Sequence, residues 1–303
     1  MDGFQVRTDL ALEARESVQK ADEDIRGIRV DEYVLEEKDI HVTKVMVDTK
    51  NAAKILGKPI GCYVTIEAPD MTNPDEDYHK EISQVLAKEL ILLLPDKETE
   101  KSILVVGLGN RAVTADALGP HVIDNLQITR HIVKQYGNAA YDKEKMNLIS
   151  SIEPGVMAKT GMETAEIIKG VVEETEPDVL LVIDALAARS TKRLNRTIQI
   201  TNTGIQPGSG VNNHRNELTQ STLKVPVIAI GVPTVVDAAT IVSDALAKYS
   251  KNDEILYYEN FEQFYHSAMT DLRDMYMTGK DIDAVIKRVS YTISEGINRA
   301  LEH

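Results

Sequence analysis

At 303 residues the chain can bury a large core, and its length suits one large domain or two modest ones. Hydrophobic residues make up 43% of the chain and charged residues 27%, which is typical of a folded globular protein and excludes a disordered or fibrous one. The formal net charge of −14 argues against a broad nucleic-acid surface, because neutralising phosphates requires clustered Lys and Arg.

The composition also bears on where the protein resides. No apolar run approaches the roughly 18 residues that a membrane-spanning helix requires. The first residues, MDGFQVRTDL, are polar and charged and do not resemble a secretory signal. The single cysteine, Cys62, excludes an internal disulfide and suits a reducing compartment. We therefore expect a cytoplasmic protein with neither a membrane partner nor a direct nucleic-acid partner.

After a charged stretch of helical character (1–24), residues 25–66 alternate between apolar and polar side chains. Three segments show this period of two, IRVDEYVL, IHVTKVMVDT and IGCYVTIEA, and all are rich in β-branched residues. The pattern predicts a small antiparallel or mixed sheet. We expect it to form an additional β-rich subdomain at about residues 25–66.

From a predicted helix at residues 76–94 onward, short apolar runs alternate with helical segments. The runs SILVVGL, DVLLVIDAL, RTIQIT and VPVIAIGV are almost continuously apolar, as strands covered on both faces are. Amphipathic segments at 162–176 and 236–249 lie between or after them, and Thr234 is predicted to cap the last of these helices. The alternation predicts an α/β fold in which a mostly parallel sheet is flanked by helices.

Two aspartates follow predicted strands, at the sheet edge where parallel sheets gather ligands and catalytic groups. Asp116 lies in the loop GLGNRAVTADALGP, in which Gly107 and Gly109 permit tight turns. Asp184 directly ends the apolar run VLLVID. Each aspartate alone is also consistent with a helix N-cap. A catalytic role is favoured because both aspartates are expected at the same edge of the sheet.

The two carboxylates together have a chemical interpretation. Two carboxylates held close together do not both ionise easily, so one of them keeps a proton. One can then act as a general base on a water molecule, and the other as a general acid toward a leaving amine. The pair Asp116 and Asp184 therefore predicts peptide hydrolysis.

A glycine-rich loop, NTGIQPGSGVNNHRNEL, follows the RTIQIT run and supplies His214 and Arg215. It lacks the Lys-Ser/Thr of a P-loop, and GLGNRA lacks the third glycine of a dinucleotide fingerprint, so we expect no nucleotide cofactor. G-x-S-x-G and H-E-x-x-H do not occur, which argues against a serine nucleophile and a metal site. His214 is equally consistent with a catalytic assistant and with a plain loop residue.

Five segments carry a family resemblance that covers most of the chain in order. GLGNRAVTADALGP, EPGVMAKTGMETAEI, VIDALAARS, TGIQPGSGVNNHRNEL and IGVPTVVDAATIV together resemble the spore germination proteases of Bacillus and Clostridium relatives. The resemblance implies a fold like that of hydrogenase maturation endopeptidases, which share a G-x-G-N…D-x-x-G loop. It further implies endoproteolysis of small acid-soluble spore proteins in the spore core, by a homo-oligomer whose essential aspartates fall on Asp116 and Asp184.

The resemblance also implies a zymogen that removes a short propeptide from itself. The family's sites look like Thr-Glu followed by a large apolar residue, then Ala and a later Glu. Residues 8–13, TDLALE, have the same order of types with Asp in place of Glu. We therefore predict cleavage between Asp9 and Leu10, a propeptide of residues 1–9 and a single peptidase domain over 10–300. Without the family context, an ordinary helix start capped by Thr8 or Asp9 would be the simpler interpretation.

An acidic residue before the cleaved bond implies a cationic pocket. The candidates for this pocket are basic side chains in or near the predicted site loops, namely Arg111, Lys159, Arg189 and Arg215. His214, next to Arg215, is included with them.

Two other interpretations stay open. In a metal-assisted endopeptidase, Asp116 and Asp184 would ligate an ion, although carboxylates without a nearby His make a weak site for a soft transition metal. In a non-catalytic module, the chain would bind spore proteins without cutting them. The final residues 301–303, LEH, are expected to be the remnant of an affinity tag.

Overall fold

The computed structural model describes residues 8–19, 26–96, 100–137, 146–208, 215–242, 245, 271–272 and 275–302. The strands in this part of the chain are β1 (Ile28–Leu35), β2 (Ile40–Val47), β3 (Gly61–Glu67), β4 (Ser102–Gly107), β5 (Leu148–Ile152), β6 (Val179–Ala188), β7 (Thr197–Thr201), β8 (Val227–Asp237) and β9 (Tyr276–Met277). They form one nine-stranded sheet in the order β1-β2-β3-β7-β8-β6-β4-β5, with β9 paired to β8.

The helices in the same ranges lie along or beside this sheet. They are α1 (Ala11–Gln19), α2 (Lys50–Leu56), α3 (Glu76–Leu93), α4 (Leu118–Ile123), α5 (Arg130–Tyr136), α6 (Met157–Thr160), α7 (Thr164–Thr175), α8 (Gln220–Leu223) and α9 (Ile282–Leu301), with short 3₁₀ turns at Glu36–Lys38 and Thr114–Asp116. The prediction of an α/β fold with a sheet flanked by helices is confirmed. None of the described helices is both long and apolar enough to cross a membrane.

Both faces of the parallel strands are covered. Along β4, Ile103 and Val105 pack in one cluster with α3 and α9, whereas Leu104 and Val106 pack in another cluster with α7. Successive side chains of a strand point to opposite faces, so an almost continuously apolar run is what burial on both sides requires. This is why β4 and β6 were recognisable as interior strands.

Among the described strands, parallel pairing is confined to β5, β4, β6 and β8. The remaining neighbours, β1 to β2, β2 to β3, β3 to β7 and β7 to β8, are antiparallel. The expectation that β7 belongs to the parallel set is wrong. Only residues 189–196 connect β6 to β7, and a parallel crossover needs a dozen residues or more.

The N-terminal strands have the antiparallel pairing that their period of two predicts. They do not form a separate sheet, because β3 pairs with β7 in register from Tyr63↔Thr201 to Glu67↔Thr197. The β-rich region is therefore the antiparallel half of the one sheet. We use that name below for β1, β2, β3 and β7, and parallel half for β5, β4, β6 and β8.

Two of the parallel strands, β6 and β8, are longer than the sequence predicts. Asp184 does not end its strand, since β6 continues to Ala188 and pairs with β8 as far as Val236, with a bulge between Leu186 and Ala187. Thr234 lies inside β8 and is not a helix cap; its Oγ1 donates to the carbonyl of Ala115 at 2.6 Å. The additional residues of β6 and of β8 pair with each other, so each strand provides backbone hydrogen-bonding partners for the extension of the other.

Candidate active site

A cavity of about 1050 Å³ is lined by the loop after β4, by β6 and β8, and by residues of the antiparallel half. Its lining includes Asp116 and Asp184, together with side chains from distant parts of the sequence. Among these are Thr8, Asp9, Lys58, Gln199 and Arg215. The two aspartates and the residue before the predicted cleavage bond therefore share one cavity.

The loop after β4 presents Asp116 through a tight backbone turn. The backbone N–H of Asn110 donates to Asp116 Oδ2 at 2.8 Å and to the Asp116 carbonyl at 3.1 Å. Gly109 has a φ of +117°, and a Cβ at this position would lie 1.9 Å from the Asp116 carbonyl oxygen. Only glycine allows both the backbone conformation and the close approach. Leu108 N–H donates to the Ile183 carbonyl at 2.8 Å, which fixes the loop to β6 next to Asp184.

Asp184 lies within β6 and is only 6% exposed. Its Oδ1 accepts a hydrogen bond from the backbone N–H of Ala185 at 2.9 Å. In the sheet register, Asp184 is paired with Gly231 of β8, and Gly231 is paired with Gln199 of β7. Paired residues point to the same face, so Asp184 and Gln199 stand on one face two strand spacings apart, roughly 10 Å.

The carboxyl groups of the cavity influence each other electrostatically. Burial raises the pKa of Asp116, while the Asn110 N–H and the charge of Arg215 oppose this rise. Burial and then the negative charges of Asp116 and Asp9 raise the pKa of Asp184 well above its ordinary value. The structure therefore favours a proton on Asp184 more strongly than on Asp116.

The segment around the predicted cleavage bond lies beside β6, and residues 8–10 lead directly into α1. Asp9 N–H donates to the Ala187 carbonyl at 3.1 Å, and Ala187 N–H donates to Asp9 Oδ2 at 2.9 Å. Leu10 is fully buried and packs with Leu186, Ala188 and Val236. The acidic side chain at position 9 is thus held by a backbone N–H of β6.

Glu13 anchors the other end of this segment. It is 3% exposed, and its carboxylate accepts from the backbone N–H groups of Arg189 at 2.8 Å and Ser190 at 2.9 Å. It also accepts a hydrogen bond from Thr8 Oγ1 and lies 3.6 Å from the guanidinium of Arg193. The Thr, acidic and Glu positions of the segment TDLALE therefore all make specific polar contacts.

The carbonyl oxygen of Asp9 accepts two side-chain hydrogen bonds. Lys58 Nζ donates to it at 2.8 Å, and Gln199 Nε2 donates at 3.1 Å. Gln199 Oε1 in turn accepts from Ala11 N–H at 2.7 Å, so one amide contacts the chain on both sides of the Asp9–Leu10 bond.

The basic candidates fall in different places. Arg215 lines the cavity, and its charge lowers the pKa of both aspartates. Arg111 binds Asp124 and Glu153, and the exposed Lys159 on α6 is not among the cavity residues. Arg189 contributes its backbone N–H to Glu13, and His214 lies outside the described residues.

Lys58 and Gln199 are the contacts that sequence reasoning missed. Lys58 lies in the short connection between α2 and β3, where nothing in the local sequence distinguishes it from a solvated lysine. Gln199 carried a usable signal, since it is a polar residue inside the buried run TIQIT. In the part of the chain that the structure describes, no group of three or more His, Cys, Asp or Glu side chains is arranged to hold a metal ion.

Comparisons with known proteins agree with the resemblance in the sequence. The family model described as Germination protease matches residues 6–252. Germination protease of Caldanaerobacter subterraneus subsp. tengcongensis is 44% identical over 98% of this chain and 94% of its own length. Germination protease of Clostridium tetani is 44% identical over 99% of this chain and 96% of its own length.

Among solved structures, the [NiFe] hydrogenase maturation protease HycI from Thermococcus kodakarensis covers 45% of this chain and 76% of its own, at 16% identity and a TM-score of 0.27. That likeness is too weak to support an argument. The sequence relatives and the family model extend over most of the chain, and they are sufficient. The chain belongs to the germination protease family, and it is therefore a peptidase.

Proposed function

We propose that this chain is a self-processing endopeptidase that starts the degradation of small acid-soluble spore proteins in the spore core during germination. Residues 1–9 would be its propeptide, and the mature enzyme a homo-oligomer. The observation that carries the proposal is that Asp116, Asp184 and Asp9 line one cavity, in which the segment TDLALE is held by specific contacts. The family resemblance supports the substrate class.

Water would be activated between the two aspartates. Asp116 is the less buried of the two and accepts an N–H from Asn110, which favours its charged form as the general base. Asp184 has the more strongly raised pKa, because of its burial and the charges of Asp116 and Asp9, which favours its protonated form as the general acid. The two roles follow from the two environments, as in other carboxyl pairs.

Water and the two carboxyl groups supply every atom and proton of the proposed reaction. Asp116 takes a proton from water as the oxygen attacks the Asp9 carbonyl carbon. Asp184 gives its proton to the nitrogen of Leu10 as the C–N bond breaks. The products are a carboxyl group on Asp9 and an amine on Leu10.

The test is the rate at which a species beginning at Leu10 appears, followed by intact mass spectrometry of the purified chain. Asp116→Asn and Asp184→Asn should each slow this rate by about 10²–10⁴-fold, the usual loss for a general acid or base. Asp124→Asn is the matched control, because Asp124 pairs with Arg111 outside the cavity and should cleave at the parent rate.

Substantial cleavage by either cavity variant would mean that the carboxyl pair is misassigned. Two further outcomes would favour the other candidates. Loss of cleavage in a chelator would favour a metal-assisted enzyme. A chain that neither cuts itself nor a peptide copying residues 6–15, yet binds the peptide, would be a non-catalytic module.

A further inference from the structure

Two side chains that take no part in the acid–base chemistry converge on the carbonyl of the proposed cleavage site. Lys58 Nζ and Gln199 Nε2 donate to the Asp9 carbonyl oxygen at 2.8 Å and 3.1 Å. An oxyanion site is recognised by donors about 2.7–3.1 Å from the oxygen on which negative charge develops. Both donors are already that close to the carbonyl oxygen from which the oxyanion would form.

We propose that Lys58 and Gln199 form the oxyanion site of this peptidase, an inference that rests on the proposed function. When water adds to the Asp9 carbonyl carbon, the π-electron pair moves onto the carbonyl oxygen, which becomes negatively charged. The N–H groups of Lys58 and Gln199 stabilise that charge. The pair returns when the bond to the Leu10 nitrogen breaks, so neither residue gains or loses a proton overall.

The orientation of the Gln199 amide is fixed by its neighbours. Ala11 N–H can only donate, so the amide atom 2.7 Å from it must be the oxygen, and the amide nitrogen is then directed to the Asp9 carbonyl. Gln199 is 7% exposed and lies in β7, paired on one side with Thr65 and on the other with Gly231. A donor on a rigid interior strand is preorganised for charge stabilisation.

Lys58 approaches the same oxygen from the α2–β3 connection. Its Nζ also lies 3.4 Å from the carbonyl oxygen of Thr8, so it contacts two successive carbonyls of the segment. Burial lowers the pKa of Lys58, and the negative charges of Asp9 and Glu13 partly oppose this effect. The charged and the neutral amine both retain N–H donors for the oxyanion.

The alternative is that both residues only hold the segment in place. Lys58→Met removes the donor and keeps the length of the side chain. Gln199→Glu removes the donor to Asp9 and keeps an oxygen for the N–H of Ala11. In the full chain, each should slow the appearance of the species beginning at Leu10 by about 10²–10³-fold, the usual loss for one oxyanion donor.

Two further measurements separate the oxyanion role from anchoring. Hydrogen–deuterium exchange should show residues 8–13 still protected in both variants. With the peptide copying residues 6–15 as substrate, kcat should fall by a larger factor than KM rises. Matched controls are Lys54→Met, an exposed lysine on α2, and Gln127→Glu, an exposed glutamine; both should behave as the parent.

The outcomes are distinguishable. Cleavage within about threefold of the parent in Lys58→Met and Gln199→Glu, while Asp116→Asn is inactive, overturns the oxyanion assignment alone. Loss of exchange protection in parallel with loss of cleavage also overturns it, because anchoring then explains the result. Normal cleavage by Asp116→Asn contradicts the proposed function instead. A parent chain that cuts neither itself nor the peptide contradicts both.

Discussion

The two halves of the sheet contribute different parts of the site. The parallel half carries both aspartates, one on the loop after β4 and one inside β6. The antiparallel half supplies Gln199 in β7 and, just before β3, Lys58, which contact the carbonyl of Asp9. In the proposed mechanism, the groups that transfer protons and the groups that bind the carbonyl therefore lie on opposite sides of the β7–β8 pairing. The site therefore depends on how the two differently built halves of the sheet are joined.

The largest effect on self-cleavage is expected from Gly109→Ala, in the parallel half. The new Cβ would lie 1.9 Å from the Asp116 carbonyl oxygen, at a φ of +117° that alanine rarely adopts. The loop must move, and because misplacing a catalytic group by about 1 Å can cost about 10²-fold, self-cleavage should slow by at least that factor. The rate is measured by intact mass spectrometry.

Gly170→Ala is the control for this substitution. Gly170 lies in α7 with nothing within 4 Å of an added Cβ, so cleavage should be unchanged and the helix stabilised by about 1 kcal/mol. Parent-like cleavage by Gly109→Ala would contradict the view that the glycine sets the position of Asp116.

A smaller effect, on stability alone, is expected far out in the antiparallel half, from Lys44→Met. Glu89 is 1% exposed and is bound by Lys44 Nζ at 2.7 Å and by the Tyr33 hydroxyl at 2.8 Å. Removing the lysine leaves a buried charge without its cation, so the free energy of unfolding should fall by about 3 kcal/mol in urea titrations. Folded Lys44→Met should still cleave itself at the parent rate.

The control here is Lys88→Met, because Lys88 is exposed and its Nζ lies 4.8 Å from the centre of the same Tyr33 ring. Its loss should cost less than about 1 kcal/mol. Slow cleavage by folded Lys44→Met would instead mean that the outer antiparallel strands influence the chemistry.

The last effect concerns the pH dependence of stability at Asp184. Its pKa is raised by burial and by the charges of Asp116 and Asp9, so the folded carboxyl holds its proton more tightly than the unfolded one. Its stabilising contribution is therefore complete below the ordinary pKa of 3.8 and is lost as the pH rises through the folded pKa. Asp184→Asn cannot lose a proton, so its melting temperature should gain on the parent as the pH rises from 4 to 8.

Asp124→Asn should behave in the opposite way. The hydrogen bond from Arg111 lowers the pKa of Asp124, so this carboxylate stabilises the fold above its ordinary pKa, and the variant should lose stability toward neutral pH. A parent and an Asp184→Asn chain with parallel melting curves would mean that the aspartate is not kept protonated by the fold.

The parallel half was largely predictable from the sequence, and the assembled site was not. Runs such as SILVVGL and DVLLVIDAL revealed interior strands, and the loop glycines placed Asp116 near a strand end. The true end of β6 could not be read, because it depends on pairing with β8 beyond Asp184. Lys58 and Gln199 reach Asp9 only through the pairing of β3 with β7, and no local pattern encodes contacts over such sequence distances.

The burial of Leu10 affects the fate of the new chain end after cleavage. Its side chain is fully buried in an apolar pocket made by Leu186, Ala188 and Val236. Hydrolysis would turn its amide nitrogen, which donates to Thr8 Oγ1 at 3.0 Å, into a new chain terminus, while the side chain would keep its apolar contacts. Because burying a leucine side chain contributes about 1.5–3 kcal/mol, the new chain end should stay beside β6 after cleavage.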